Sequence, residues 1–296
     1  MKALTVIQAK GFARIGKYKL YYESYSSNLV SKTTLLTLHG GPGFTHHQLL
    51  PLTWLAGKQP PVRVILYDQL GCGSSDRAQN LNEYKIMNAV DDIEAFRKKL
   101  GLGRLSLLGH SYGGSLALEY ALKYQNHIER LVLSSSSASI PKTIMAFQRL
   151  KAEMPVEIKE TLRKYEDSGD YDNPEYKRVV NELYKKHVFR GEQYPPDLAA
   201  SLNGFNPDVY WTMWGKHEFV CTGNMRKWDV SARLHEVRVS TLILVGRYDE
   251  LPVELSEEMH QLIRNSKLTI LENSSHFGMF EEQERYLQTV YSFLIN

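Results

Sequence analysis

The alternation of short apolar runs with longer helical patterns constrains this chain most. The apolar runs have the length of strands and lack polar alternation, which is typical of strands buried on both faces of a sheet. Helical patterns separate several of these runs. This order predicts an α/β fold, with a mostly parallel central sheet and helices on both of its faces. The predicted strands are residues 18–25, 34–38, 62–67, 105–108, 131–133, 242–245 and 268–271, and the predicted helices are residues 83–100, 114–124 and 252–264.

The alternation is interrupted between residue 137 and about residue 239. The intervening segment is rich in Tyr, Trp, Lys and Glu, contains several prolines, and has no apolar run of comparable quality. We therefore predict two parts. Residues 1–137 and 231–296 form the core that carries the sheet, and residues 138–230 form a mainly helical cap inserted into it.

Residues 109–113, Gly-His-Ser-Tyr-Gly, match the pattern G-x-S-x-G. The match follows a predicted strand directly and precedes a predicted helix. A strand-to-helix turn this tight forces Ser111 into a strained conformation and exposes its hydroxyl above the sheet, and it needs glycines on both sides. The sequence therefore predicts Ser111 as a catalytic nucleophile.

A serine nucleophile needs a base, and the base needs an acidic partner to orient it. In this architecture the acid and the histidine follow later strands, in that order along the chain. Asp249 comes just after the strand predicted at 242–245, with Glu250 as a rival, and His276 comes after the strand predicted at 268–271. We predict a catalytic triad of Ser111, Asp249 and His276.

An oxyanion hole is predicted beside Ser111. Residues 39–43, His-Gly-Gly-Pro-Gly, follow the strand predicted at 34–38, and a loop without side chains can bring a backbone N–H close to a developing oxyanion. Gly41 is the preferred donor and Gly43 is second. The other donor is the amide of Tyr112, the residue after the nucleophile.

The charge balance gives no support to binding of a polyanion such as a nucleic acid. Lys plus Arg number 36 and Asp plus Glu number 33, so the formal net charge is +3, and no basic block is present. We therefore expect no nucleic-acid partner. No run reaches the roughly 18 apolar residues of a membrane span, and no signal peptide is apparent. With only two cysteines, Cys72 and Cys221, we expect free thiols and a cytoplasmic location, and a single disulfide is the less favoured alternative.

No cofactor and no metal are expected. Residues 11–18 nearly fit a phosphate-binding loop, but they end in Tyr instead of Ser or Thr and lead into a strand. His46 and His47 are adjacent and should point away from a common metal ion.

Taken together, these motifs resemble the α/β-hydrolase superfamily, and more specifically the prolyl iminopeptidases and the related tricorn-interacting aminopeptidases of archaea. The resemblance rests on residues 39–43, 68–75, 109–114 and 246–250, and it extends to the segment 214–219. It implies an enzyme that removes one N-terminal residue, typically proline, from short peptides with a free N-terminus. It also implies a functional link to a larger upstream protease.

The resemblance assigns recognition of the substrate's N-terminus to Glu218 and Glu250. Position alone also places Glu250 near the site, because it follows Asp249, but says nothing independent about Glu218. Four aromatic residues of the cap would either form the pocket for the proline ring or pack the interior of the cap. They are Phe205, Tyr210, Trp211 and Trp214.

Two alternatives remain open from the sequence. A carboxylesterase or lactonase would use the same catalytic groups with different substrate recognition. A binding protein that has kept the pocket is disfavoured by the intact triad. Dehalogenase and epoxide hydrolase chemistry is also disfavoured, because those relatives have Asp at the position of Ser111.

Overall fold

Eight strands form one sheet in this protein, whose computed structural model describes residues 5–296. The strands are β1 (Val6–Ile15), β2 (Tyr18–Ser27), β3 (Thr33–Leu38), β4 (Val62–Tyr67), β5 (Leu105–His110), β6 (Ile128–Ser134), β7 (Ser240–Gly246) and β8 (Ser266–Leu271). Their order across the sheet is β1-β2-β4-β3-β5-β6-β7-β8. The β1–β2 and β2–β4 pairs are antiparallel, and all other pairs are parallel. The predicted α/β fold with a mostly parallel sheet is confirmed.

Within residues 5–296, ten α-helices accompany the sheet. They are α1 (Ile86–Lys99), α2 (Tyr112–Tyr124), α3 (Ile140–Ala152), α4 (Val156–Ser168), α5 (Pro174–Leu183), α6 (Pro196–Asn203), α7 (Pro207–Met213), α8 (Val253–Leu262), α9 (Gly278–Glu281) and α10 (Gln283–Ile295). A 3₁₀ segment covers His46–Gly57, and a π-helical turn, Tyr184–Val188, continues α5. None of the helices in the described part of the chain is long and apolar enough to cross a bilayer.

Successive residues of the central strands face two separate apolar cores. On β6, Leu131 and Leu133 pack in the core that contains the apolar faces of α1 and α2. Val132, between them, packs in the second core with the 3₁₀ segment and α10. This alternation is the two-residue period of a strand, and both faces are covered. It explains why these strands appear in the sequence as continuous apolar runs.

The sequence interpretation missed β1 and α10. Residues 6–10 of β1 are exposed, because β1 is an edge strand that pairs only with β2, and an exposed edge has no apolar run to reveal it. The stretch 11–18 that nearly fits a phosphate-binding loop lies in the β1–β2 hairpin. Gly16 has φ +56° at its turn, where a phosphate-binding loop would require the start of a helix.

The segment between β6 and β7 contains α3–α7 and the π-helical turn. An isolated antiparallel bridge joins Ser139 to Asp229, near the two ends of this segment. The division into a core and a cap at residues 138–230 stays a prediction. What the fold does fix is the position of the loops that carry the predicted site. β3, β5, β7 and β8 are parallel, so the loops that follow them lie at one edge of the sheet.

Candidate active site

Ser111 occupies the turn between β5 and α2 with an unusual backbone conformation. Its φ is 55° and its ψ is −125°, a region that costs a non-glycine residue about 1–3 kcal/mol. Backbone hydrogen bonds hold it there: its N–H donates to the carbonyl of Ser134 at 2.9 Å, and its carbonyl accepts from Gly114 N–H at 2.8 Å. The Ser136 hydroxyl also donates to the Ser111 carbonyl, at 2.9 Å. The surroundings therefore impose the strain on Ser111.

The glycines around Ser111 allow the turn to close. A Cβ on Gly109 would lie 2.1 Å from the Gly113 carbonyl oxygen, and a Cβ on Gly113 would lie 2.1 Å from the Leu38 carbonyl oxygen. Both obstacles are backbone atoms, which cannot rotate away. The two glycines of the G-x-S-x-G pattern are thus required by the packing of α2 against β3 and β5.

His276 and Asp249 form a buried hydrogen-bonded pair. His276 Nδ1 lies 2.8 Å from Asp249 Oδ1, and the two residues are 4% and 2% exposed. A carboxylate can only accept here, so the proton sits on Nδ1 and Nε2 is left for the reaction. The Leu251 amide donates to the same Asp249 oxygen at 2.9 Å and fixes the turn.

His276 and Ser111 line one cavity, without a direct hydrogen bond between these two described side chains. His276 Nε2 lies 3.6 Å from Glu250 Oε1 instead. Burial alone would lower the pKa of His276, but the charges of Asp249, Glu250 and Glu218 raise it to about 9. The imidazole is thus surrounded by acidic groups, and its charge state depends on them.

The two residues whose amides are predicted to bind the oxyanion, Gly41 and Tyr112, both lie beside Ser111. Gly41 lines the same cavity as Ser111, and no hydrogen bond among the described residues uses its amide. The Tyr112 amide opens α2 and so has no partner within the helix. Gly43 lies apart from the cavity, where its carbonyl accepts from Asn206 N–H at 2.8 Å.

Hydrogen bonds from the segment after β4 hold the loop that carries Gly41. The side-chain amide of Gln69 donates to the His39 carbonyl at 2.9 Å, and the Gln69 N–H donates to His39 Nε2 at 3.2 Å. The Gly40 amide donates to Gln48 Oε1 at 3.1 Å. Residues 39–43 and 68–75, which appear far apart in the sequence, therefore form one hydrogen-bonded unit.

Glu218 and Glu250, to which the resemblance assigns recognition of the substrate's N-terminus, line the cavity that contains Ser111. Glu250 is 3% exposed, and its Oε2 has no hydrogen-bond partner among residues 5–296. Burial raises the pKa of Glu250 well above its usual range, and the charge of Glu218 adds to this rise. Burial also raises the pKa of Glu218, although the Tyr210 hydroxyl, which donates to it at 2.5 Å, opposes the rise. A cation placed between these two carboxylates would be strongly favoured.

Two cavities meet at Ser111. The larger cavity has a volume of about 260 Å³, and the smaller cavity has a volume of about 30 Å³. Ser111, Glu218 and Glu250 line both, whereas His276 lines only the larger cavity. The apolar walls of the larger cavity are Phe44, Tyr184, Val188, Tyr194, Leu198, Leu202 and Phe277. Those of the smaller cavity are Ile140, Phe147, Trp214, Met225 and Leu251.

The four aromatic residues left open by the sequence have different positions. Trp214 lines the smaller cavity. Tyr210 binds Glu218 through its hydroxyl. Phe205 packs against the Tyr210 ring, with the centroids 5.2 Å apart, and Trp211 is 49% exposed. Of the four, therefore, only Trp214 forms a wall of the two cavities that meet at Ser111.

Sequence reasoning missed most of the larger cavity. Its walls between residues 184 and 202 come from the π-helical turn, the loop after it and α6. Their positions depend on how segment 138–230 packs, which no local pattern encodes. His110 was also missed, although it is the variable residue of G-x-S-x-G. Its ring lies 4.8 Å from the His276 ring, and neither of its nitrogens has a hydrogen-bond partner within the described part of the chain.

Comparisons with known proteins agree with this geometry. The family model of the alpha/beta hydrolase fold matches residues 33–164. A proline iminopeptidase from Saccharolobus solfataricus is 38% identical over 99% of this chain and 94% of its own length. One from Thermoplasma volcanium is 39% identical over 96% of both chains. The crystal structure of a Mycobacterium smegmatis proline iminopeptidase superposes with a TM-score of 0.91 at 28% identity, over 97% of each chain.

Proposed function

Because this chain belongs to the proline iminopeptidase family and is a prolyl aminopeptidase on the α/β-hydrolase scaffold, we propose that it acts through an acyl-enzyme on Ser111. In this mechanism His276 is the base and Asp249 is its partner. The observation that carries the mechanism is the buried hydrogen bond of 2.8 Å between His276 and Asp249, which leaves Nε2 of the histidine available in the cavity that contains Ser111.

The reaction proceeds in two halves. His276 Nε2 takes the proton of the Ser111 hydroxyl as the oxygen attacks the carbonyl carbon of the first residue. The resulting oxyanion accepts hydrogen bonds from the amides of Gly41 and Tyr112. His276 then gives its proton to the leaving nitrogen, the C–N bond breaks, and the shortened peptide leaves. In the second half His276 takes a proton from water as the water attacks the ester, and it gives that proton to the Ser111 oxygen as the ester bond breaks and the free amino acid leaves.

The two carboxylates explain why such an enzyme takes only the terminal residue. Glu218 and Glu250 lie beside Ser111, and Glu250 Oε2 accepts no hydrogen bond from the described residues. A cationic substrate N-terminus would supply the missing partner through charge-assisted hydrogen bonds. An interior peptide bond or an acylated N-terminus would leave these buried groups unpaired, which costs binding energy.

The smaller cavity is the proposed site for the proline ring. His276 must reach the leaving nitrogen, and it lines only the larger cavity, so the leaving portion of the substrate belongs there. The residue that is released therefore belongs in the smaller cavity, next to the same two carboxylates. Apolar side chains line it beside the hydroxyls of Ser115, Ser137 and Thr143, and its small volume of about 30 Å³ leaves no room for a long side chain.

Replacing Ser111 with Ala tests the mechanism. We expect the kcat for proline-4-nitroanilide to fall by roughly 10⁴-fold or more, with an unchanged circular dichroism spectrum and melting temperature. Ser168→Ala, which changes an exposed serine at the end of α4, is the matched control and should keep full activity. Undiminished turnover by Ser111→Ala would refute the acyl-enzyme.

N-acetylation of the substrate separates aminopeptidase recognition from that of a carboxylesterase or lactonase. We expect kcat/KM for N-acetylproline-4-nitroanilide to be lower than for the free amine by at least about 10³-fold, because Glu218 and Glu250 would be left without a cation. Equal rates for both compounds would favour an esterase-like site with no recognition of an amine.

A further inference from the structure

The larger cavity extends beyond the catalytic groups into an apolar chamber. Its acidic and imidazole side chains, which are those of His110, Glu218, Glu250 and His276, all lie in or beside the catalytic loops and the carboxylate pair. The chamber walls beyond them come from Phe44, the π-helical turn, α6 and Phe277. This part of the cavity has no role in binding the N-terminal residue, so it is free to contact the second residue of the substrate.

Two polar side chains of the chamber wall, Gln48 and Ser201, are occupied by hydrogen bonds within the protein, and the hydroxyls of Tyr184 and Tyr194 are the other polar groups of this wall. Gln48 accepts from the Gly40 amide at 3.1 Å and donates to the Ser201 hydroxyl at 3.3 Å. Ser201 Oγ also accepts from Thr45 N–H at 3.2 Å and donates to the Thr45 carbonyl at 3.1 Å. A ligand in the chamber therefore finds a mainly apolar surface, on which the hydroxyls of Tyr184 and Tyr194 are the polar groups left to contact a polar side chain.

One face of α6 provides the part of the wall that a substrate would touch. Leu198, Ser201 and Leu202 lie three and four residues apart, so they point to the same side of the helix. The bonds of Ser201 to Thr45 pin this face against the segment that follows the oxyanion loop. Leu198 is 1% exposed and belongs to the core, whereas Leu202 is only partly buried and presents free surface to the cavity.

We propose that the larger cavity binds the side chain of the second substrate residue and selects a bulky apolar one there, with Leu202 as a specificity-determining residue. The inference rests on the proposed acyl-enzyme mechanism, because it is His276 that places the leaving nitrogen in this cavity. The second residue's Cα is bonded to that nitrogen, so its side chain lies within reach of α6 and the π-helical turn. The substrates of the enzyme are then peptides that begin with proline followed by an apolar residue.

A panel of prolyl dipeptide amides tests this selectivity in the unmodified protein. Prolyl-leucinamide and prolyl-asparaginamide carry second residues of similar size and opposite polarity, and prolyl-glycinamide has no side chain to bind. We expect kcat/KM for the leucine compound to exceed the other two by roughly tenfold to a hundredfold. Proline amide, which releases ammonia, is the reference for a leaving group that cannot fill the chamber.

Two substitutions of Leu202 act in different ways. Leu202→Asn makes the wall polar, and it should lower the ratio of kcat/KM for prolyl-leucinamide over prolyl-glycinamide by at least about fivefold. Leu202→Trp fills the chamber, and it should lower the rate for prolyl-leucinamide more than that for prolyl-glycinamide. Leu81→Asn, at an exposed position outside both cavities, is the control and should keep the ratio of the unmodified protein.

The outcomes separate the two proposals. If proline amide and proline-4-nitroanilide are not hydrolysed at all, the proposed function itself fails. If they are hydrolysed but the three dipeptide amides react equally, only the second-residue site is refuted. If both Leu202 variants show the same preference for leucine as the unmodified protein, the second-residue site stands and its assignment to Leu202 is overturned. Circular dichroism shows that each variant is folded before its ratio is interpreted.

Discussion

At the scale of single residues, the charge on His276 decides when the enzyme can react. The groups that face its ring are Asp249 and Glu250 from the loop after β7, Glu218 from segment 138–230, and His110 from β5. Three of these are acidic, and together they hold the pKa of His276 at about 9 against the effect of burial. Only the neutral form can take the proton of Ser111, so the raised pKa lowers the fraction of the free enzyme in which His276 can act as a base at neutral pH.

This charge arrangement predicts how acylation depends on pH. An uncharged fluorophosphonate has no amine to titrate, so its rate of reaction with Ser111 reports His276 in the free enzyme. We expect this rate to rise with pH and to level off above pH about 9, because the raised pKa keeps His276 protonated below that value. One pH unit on this limb corresponds to about tenfold in rate.

Glu250→Gln should move the rising limb to lower pH, since it removes one of the charges that raise the pKa of His276. The rate at pH 7 should then increase, although KM for proline-4-nitroanilide should also increase. Glu129→Gln removes an exposed carboxylate at the start of β6 and should leave the profile where it was. A limb that does not move in Glu250→Gln would contradict the electrostatic coupling.

At the scale of elements, the junction of β5 and α2 holds the nucleophile by close backbone packing. The sequence pattern predicted this junction correctly, because G-x-S-x-G between a strand and a helix has one local solution. The pattern did not show which neighbour requires each glycine. The structure shows that the position of Gly113 is limited by β3, through the Leu38 carbonyl. The oxyanion loop follows the same strand, so one close contact aligns the nucleophile with its oxyanion donors.

Gly113→Ala is therefore expected to be strongly destabilising. Its new Cβ would lie 2.1 Å from the Leu38 carbonyl oxygen, so α2 or β3 must shift. We expect the free energy of unfolding, measured by urea denaturation, to fall by about 3 kcal/mol. Gly103→Ala has nothing within 4 Å of the new Cβ and no positive φ, and it should change stability by less than about 0.5 kcal/mol. Similar stability for both variants would show that the junction is not tightly packed.

At the scale of the whole molecule, buried parallel strands were the easiest elements to predict and segment 138–230 was the hardest. The strands from β3 to β7 bury both faces, so each appears as an apolar run in the sequence. The edge strand β8 is only partly buried and was still recognised from the run at residues 268–271. The exposed β1 gives no such signal. For α10 the signal was present and was overlooked, since Tyr286, Leu287, Val290 and Leu294 have helical spacing and are buried. The cavities depend on contacts between distant segments, such as that of Ser201 with Thr45, which no single sequence reveals.

The net charge of +3 predicts a weak dependence of activity on ionic strength. The carboxylates proposed to bind the substrate's amine are close to Ser111, and a net positive charge on the whole chain would not steer a cation towards them. We expect kcat/KM for proline-4-nitroanilide to change by less than about threefold between about 0.05 M and about 0.5 M sodium chloride. A steep fall with salt would show that long-range attraction brings the substrate to the site.

Asp249 and Glu250 are neighbours in the chain, so a single loop sets the distance between their carboxylates. The first is hydrogen-bonded to His276, the proposed base, and the second is the residue proposed to bind the substrate's amine. The Glu250 amide donates to the His187 carbonyl at 3.0 Å, and this hydrogen bond anchors the loop at Glu250. An α-amino acid has a single carbon between its amine and its carbonyl, so in the proposed mechanism the short interval between Asp249 and Glu250 matches the short interval between the substrate's amine and the bond that is cleaved.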